Sequence, residues 1–288
     1  MKAISADNIS PDNPVGHGPL IKIRAGHSPV ASQLRDAWAH RELFYFLMWR
    51  DLKVRYRQTL LGAGWVILQP LLTTIVFTIF MNKLVRVPSD GLPYPLFAYA
   101  GLLPWMFFSN SVSTSAYSLF NNSYIVTKVY FPRLIIPAAI VGVRLVDFIV
   151  ASIVLVGLML VYGVNLKIGL LLLPLLVAQL TLFTFGISLW FSILNVRYRD
   201  IGTLLPVLIQ LWMFVSPVVY PSSLVPDKWR FAYSLNPMTG ILEALRGSLF
   251  GLPLQWTAVG ISMALTIVLA VYFTYLFCRW EENLIDVL

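Results

Sequence analysis

The stretch KVRYRQTLLGAGWVILQPLLTTIVFTIFMN, residues 53–82, decides the fold. Lys53, Arg55 and Arg57 open it, and no further charge follows until Lys83. About 20 mostly apolar residues suffice for a helix to cross a bilayer. Residues 60–82 therefore read as a membrane span with cations gathered at one end. Composition agrees: of 288 residues, 58% are hydrophobic and 12% charged, against about 25% charged in a soluble domain.

Five further stretches have the same character: residues 94–119, 134–162, 168–194, 201–221 and 255–278. Pro70, Pro104, Pro174, Pro206 and Pro217 are all expected inside spans, where neighbouring helices re-satisfy the freed carbonyls. The predicted fold is an all-α integral membrane domain of six spans over residues 59–280. A flexible tail covers 1–33, an amphipathic interface helix 34–58, and a short tail 281–288. In the interface helix Leu34, Trp38, Tyr45, Trp49, Leu52 and Tyr56 fall near one face, and Arg41, Arg50, Lys53 and Arg57 lie off it. That pattern sets aromatics among headgroups and cations in water.

Six spans put both termini on one side. Arg50, Lys53, Arg55, Arg57, Lys128, Arg133, Arg197, Arg199 and Arg279 flank the same side as the N-terminus, outnumbering Lys83, Arg86, Lys167, Lys228, Arg230 and Arg246 opposite. The excess of basic residues places both termini in the cytoplasm. Between spans five and six, NPMTGILEALRGSLFG (236–251) reads as a short helix, with Asn236 as N-cap, Pro237 at the first turn and Gly247 or Gly251 at its end. It is expected to belong to a pair of short outer helices that dip into the membrane edge.

Several chemistries are missing. No acidic pair is placed for acid–base work in a span, no His/Cys/Asp cluster has metal spacing, and no phosphate-binding Gly-rich loop is present. No basic run sits on a soluble domain, so nucleic acid is not an expected partner. Cys278 is the single cysteine and allows no internal disulfide. The chain is expected to hold no cofactor or metal and to catalyse no reaction. Transport, channel or scaffold roles remain.

The tetrapeptide VRYR occurs twice, at 54–57 and 196–199, each time before an apolar run. Together with FAYAGLLPWMFFSNSVSTSAYSLFNNSYIVTKVYFPRLIIP (97–137), NVRYRDIGTLLPVLIQLWMFVSPVVYP (195–221) and LNPMTGILEALRGSLFG (235–251), it resembles the ABC-2 type permeases that export polysaccharides: O-antigen, capsule and wall teichoic acid. The resemblance covers about residues 34–280. It implies a homodimer in the bacterial inner membrane, clamped by two ATPase subunits that bind ATP and Mg. It also implies an undecaprenyl-diphosphate-linked glycan as cargo, moved along a channel lined by the first and fifth spans. Capsule or teichoic-acid export, an ABC-2 drug or lipid pump, and a membrane-embedded glycosyl- or acyltransferase are the alternatives.

Candidate site residues follow. Arg55, Tyr56, Arg57, Arg197, Tyr198 and Arg199 fit either of two compatible roles: topology anchors, or a diphosphate-receiving entrance, since the Arg fork grips phosphate oxygens. Trp65, Phe77, Phe80, Trp212, Phe214 and Tyr220 lie along the two pathway spans and could stack on sugar rings. The resemblance assigns ATPase coupling to a short amphipathic helix ended by Pro132, with Tyr124, Ile125, Lys128, Tyr130 and Phe131 on it and Arg133 just beyond, and an ordinary interfacial turn is the other reading. Arg144 and Asp147, three apart in span three, form an expected intramembrane ion pair, with a helix-to-helix brace that changes partner during the cycle as the other reading. Asn236, Pro237, Glu243 and Arg246 belong to the outer gate implied by the resemblance, with Glu243 and Arg246 as a surface pair or a gate latch.

Overall fold

The computed structural model describes residues 30–57, 62–164, 168–198 and 200–281. Every regular element among them is helical. The order is α1 (Val30–Ala39), α2 (Arg41–Tyr56), α3 (Gly64–Phe77), α4 (Tyr94–Ala116), α5 (Ser118–Asn121), α6 (Ser123–Lys128), α7 (Ile135–Val161), α8 (Leu173–Arg197), α9 (Asp200–Val215), α10 (Asp227–Ser234), α11 (Pro237–Phe250) and α12 (Trp256–Glu281). Most of the tail expected at 1–33, Arg199, and the C-terminal tail beyond 281 lie outside the described residues.

Among the described residues four helical stretches are long and apolar enough to cross a membrane: Gly64–Leu84, Ile135–Val161, Gly169–Arg197 and Trp256–Glu281. The first is α3 continued by a π-helical turn, Thr78–Leu84. Thr78 Oγ1 donates to the Thr74 carbonyl at 2.7 Å, an extra claim on that oxygen where the winding widens.

The expected second span is α4. It carries no charge, but its second half is rich in Ser, Thr and Asn. It sits at the centre of the bundle, where α3, α7, α8, α9 and α11 all pack on it. The face of α4 that protein covers does not meet lipid, so it can hold the hydroxyls of Ser111 and Ser115. The order around α4 is α3, α7, α8, α9, because each touches the next. At Gly186, α8 meets α12 so closely that a methyl group would stand 2.9 Å from Ala270 Cα. Small residues at a crossing let two backbones approach in this way.

Two boundaries differ from expectation. The interface helix breaks at His40, whose ring nitrogen Nδ1 lies 2.7 Å from the Asp36 carbonyl, so α1 and α2 replace one rod. The fifth helix ends at Val215 instead of 221, because Pro217 and Pro221 lack the N–H groups that would continue it. Pro217 therefore lies beyond a helix, whereas Pro174 lies inside the stretch Gly169–Arg197 as expected, in the first turn of α8. The predicted cap is present: the Asn236 side chain accepts from Met238 N, and Gly251 closes α11 at φ 68°.

Two apolar cores result. The larger joins α4, α7, α8 and α11. The smaller joins Leu47 of α2 to Leu119, Val126 and Phe131, to Leu189 and Ile193 of α8, and to Phe277 of α12. The second core fastens α2 to the bundle, aided by Arg50 Nη2 donating to Asn122 Oδ1 at 3.1 Å.

Candidate functional site

Asp147 on α7 is where the first VRYR copy lands. Arg55 Nη1 donates to Asp147 Oδ2 at 2.5 Å, and Tyr56 Oη donates to Asp147 Oδ1. Arg144, one turn away on α7, stands at 3.7 Å from Oδ2 and donates from Nη2 to Thr114 Oγ1 at 2.7 Å. The i, i+3 spacing read from the sequence thus brings Arg144 near Asp147, but the shorter ionic contact comes from Arg55, 92 positions earlier in the chain. No helical periodicity reports such a partner. Burial first, and then the Asp147 bond and charge, push the Tyr56 phenol up to about 12, so it stays a neutral donor.

These groups wall a cavity of about 260 Å3, completed by Trp65, Gln69 and Asn110. Asn110 belongs to a stripe on α4 that sequence reading missed. Met106, Ser109, Asn110, Ser113, Thr114 and Tyr117 are the positions near its C-terminal half that stay at least partly exposed. Their spacing of three and four marks one helical face. The stripe meets α3 in the cavity at Met106 and Asn110. At its far end a methyl group on Gly202 of α9 would sit 2.6 Å from Tyr117 Oη. The two helices that follow VRYR, α3 and α9, therefore flank one polar strip.

The second VRYR copy is placed differently. Arg197 ends α8, and its guanidinium lies 4.9 Å from the Trp280 ring and 5.4 Å from that of Tyr198. It is exposed, as are Tyr198 and, in the first copy, Arg57. The ABC-2 type transporter family matches residues 42–250, from α2 through α11.

The chain belongs to the ABC-2 type transporter family. It is 31% identical over 240 residues to the O-antigen export system permease protein RfbA of Klebsiella pneumoniae, covering 82% of this chain and 92% of that one. It is 31% identical over 215 residues to the protein of the same name from Myxococcus xanthus, covering 73% and 81%. The polysialic acid transport protein KpsM of Escherichia coli is 23% identical over 237 residues, covering 79% and 91%. An ABC-2 membrane chain is a multi-pass transport subunit, which fits the apolar helices and the absence of a catalytic constellation in the sequence.

In this ABC-2 chain the six aromatics singled out from the sequence separate into two groups. Trp65, Phe80 and Phe214 are exposed on α3, its π-helical turn and α9. Phe77 packs against the main core. Trp212 is set edge-on to Phe108 and Phe183 and donates from Nε1 to Asn236 Oδ1 at 3.1 Å, so it ties α9 to the cap of α11. Tyr220 lies past the end of α9 and donates to the Phe214 carbonyl.

The loop between α4 and α7 forms two short turns, α5 and α6, not one helix running to Pro132. Tyr124, Lys128 and Tyr130 are exposed, with Tyr130 at 90%. Ile125 and the buried Phe131 pack on the smaller core. Arg133 is buried as well, since its N–H donates to Glu281 Oε1 at 2.7 Å and its guanidinium to the Glu281 carbonyl. Phe131 and Arg133 therefore bind this loop to α12 and do not present a free docking knob.

In the outer segment the expected surface pair of Glu243 and Arg246 gives way to a buried anchor. Arg246 donates to the carbonyls of Pro217 at 2.6 Å, Val218 at 2.5 Å and Phe97 at 3.4 Å, and lies 3.8 Å from the Phe97 ring centroid. It supplies donors to carbonyls freed where α9 breaks. Gly101 makes room for it: a methyl group there would collide with Arg246 Nη2 and the Val218 carbonyl. Glu243 is left with a buried Oε1 that accepts no hydrogen bond. Burial pushes its carboxyl up to about 7.

Proposed function

We propose that this chain is the membrane permease of an ATP-driven exporter of a lipid-linked polysaccharide in the bacterial inner membrane. Two copies enclose the route, and two separate ATPase subunits, binding ATP and Mg, dock on the cytoplasmic side. The relatives named for O-antigen export favour an O-antigen glycan over the polysialic acid named for the more distant relative. In this reading α4 and α9 cross the membrane with the four longer stretches, giving six spans and cytoplasmic termini. At 23 residues, α4 extends roughly 35 Å, enough for a hydrocarbon core of about 30 Å. The helices α10 and α11 close the outer side.

One observation carries the mechanism: Arg55 and Arg144 both approach Asp147 Oδ2, at 2.5 and 3.7 Å, in a cavity beside α3. Asp147 is a built-in anion that holds the Arg55 fork until a stronger one arrives. The diphosphate of an undecaprenyl-linked glycan carries more charge than one carboxylate and offers two-point contact to each guanidinium. Arg57, Arg197, Tyr198 and Arg199 extend the positive mouth that attracts it. The sugar chain then follows the polar stripe of α4, whose hydroxyls and amide exchange hydrogen bonds with sugar hydroxyls. Trp65, Phe80 and Phe214 add weak stacking surfaces. Repeated weak contacts let a polymer move without a deep trap. Exposed Tyr124, Lys128 and Tyr130 meet the ATPase.

The test replaces Arg57 and Arg199 together by Gln, and separately Arg55 by Gln, with membrane insertion verified. Lipid-linked glycan should build up inside the cell in both. Normal export with correct insertion overturns the phosphate role.

A further inference from the structure

A second cavity, about 410 Å3, lies between α10, α11 and the start of α12. That size is ordinary for a small-molecule pocket. Its wall holds three buried side-chain atoms that make no hydrogen bond, one each on Thr239, Glu243 and Arg246. Thr239 is 2% exposed and its Oγ1 makes no hydrogen bond; Glu243 Oε1 is likewise buried and unbonded. Leaving such atoms unpaired carries the full desolvation cost of burying them. The neighbours are largely engaged. Arg246 donates from both terminal nitrogens to carbonyls and keeps only Nε unbonded, Arg230 pairs with Asp227 at 2.9 Å, and Asp90 accepts from Ser223 Oγ at 3.1 Å. The rest of the wall is largely apolar, with Phe97, Ala244, Leu252 and Val259.

The chemistry of the wall selects a ligand class. An anion would meet Glu243 and Asp90. A metal ion needs several oxygen ligands, and no group of three His, Cys, Asp or Glu side chains is gathered among the described residues. A hydrocarbon leaves Thr239 and Glu243 unpaired. A pyranose satisfies both kinds of surface: its hydroxyls donate to Glu243 and exchange with Thr239, and its C–H face lies on the apolar wall. We propose that this cavity binds one neutral pyranose unit, with the Thr239 hydroxyl and the Glu243 carboxyl as its hydrogen-bond partners. This rests on the polysaccharide-export reading, in which α10 and α11 face outward. The site then holds a sugar of the emerged chain, apart from the entrance at Asp147.

The experiment uses the full-length protein in nanodiscs and saturation-transfer NMR with four probes: the methyl α-pyranosides of glucose, galactose, mannose and rhamnose. At least one probe should receive saturation. Thr239→Val should weaken it at least tenfold, Thr239→Ser should restore it, and Glu243→Gln should weaken it several-fold, none with a melting midpoint below that of the natural chain. If Thr239→Val does not fold, the Glu243→Gln result decides alone. No contact with any probe, equal binding by all variants, or calcium displacing the probe overturns the proposal. Export of the cell's own glycan is followed in parallel on deletion of the gene. Lost export without glycoside binding rejects this site alone, and unaffected export rejects the function on which it rests.

Discussion

Asp147→Asn is the most informative single change, because it keeps the shape of the side chain and removes its charge. Arg144 has 16% of its side chain exposed and would be left as a lone cation inside a span. The insertion cost of such a charge is about 2.5–3.5 kcal/mol. Loss of the ionic hydrogen bond from Arg55 adds roughly 1.5 kcal/mol, at the low end for charged bonds because 35% of that side chain is exposed. The amide oxygen still accepts from Tyr56, so that bond adds no loss. The net expectation is a loss of about 4–5 kcal/mol.

The double variant Arg144→Gln/Asp147→Asn removes the stranded cation together with its counter-ion. Replacing both members of a buried pair costs far less than removing one. It should be more stable than Asp147→Asn by about 2 kcal/mol, roughly 30-fold in the unfolding equilibrium. Unfolding by SDS in mixed micelles, followed by tryptophan fluorescence, measures both. A single variant within about 0.5 kcal/mol of the natural chain refutes the hub, since that is the range of an ordinary surface change. So does a double variant that loses the full sum of the two single losses.

Gly101→Ala should cost about 1–3 kcal/mol as an overpacking change, because the Arg246 guanidinium and the Val218 carbonyl occupy the space of its methyl group; a lowered melting midpoint in detergent checks it. Glu243 gives a pH signature. With its carboxyl raised to about 7 from an ordinary 4.5, the folded chain keeps a proton that the unfolded chain releases. Stability should therefore fall as pH rises from 4.5 through 7, and Glu243→Gln should flatten that slope; melting curves at pH 5, 6, 7 and 8 measure it. Cys278 is 4% exposed, so maleimide should label it only after unfolding, and fast labelling of the native protein in detergent would contradict the packing of α12 on α8.

What the sequence makes legible is local. Runs of apolar residues locate the long helices, and Asn236, Pro237 and Gly251 define α11, because each of those signals acts within a few positions of the chain. The central place of α4 is less legible, since a helix wrapped by protein can drop the uniform apolarity that lipid demands of α7 or α12. The polar strip from Ser109 to Thr114 looks like a weakness in a span until α3 and α9 are seen beside it. Partner choice over long separations is not legible at all. Arg144 and Asp147 share a face by spacing, yet the shorter contact to Asp147 comes from Arg55 at 2.5 Å and not from Arg144 at 3.7 Å. Glu243 and Arg246 have the same spacing and the opposite outcome, because the break after Val215 offers carbonyls that hold the guanidinium elsewhere. Spacing of three along a helix tells which charges can meet. Which of them do meet is decided by what other elements bring to the same place. In the proposed mechanism that rule becomes functional: a carboxylate that must compete for its arginine inside one protomer can also lose it to an arriving phosphate.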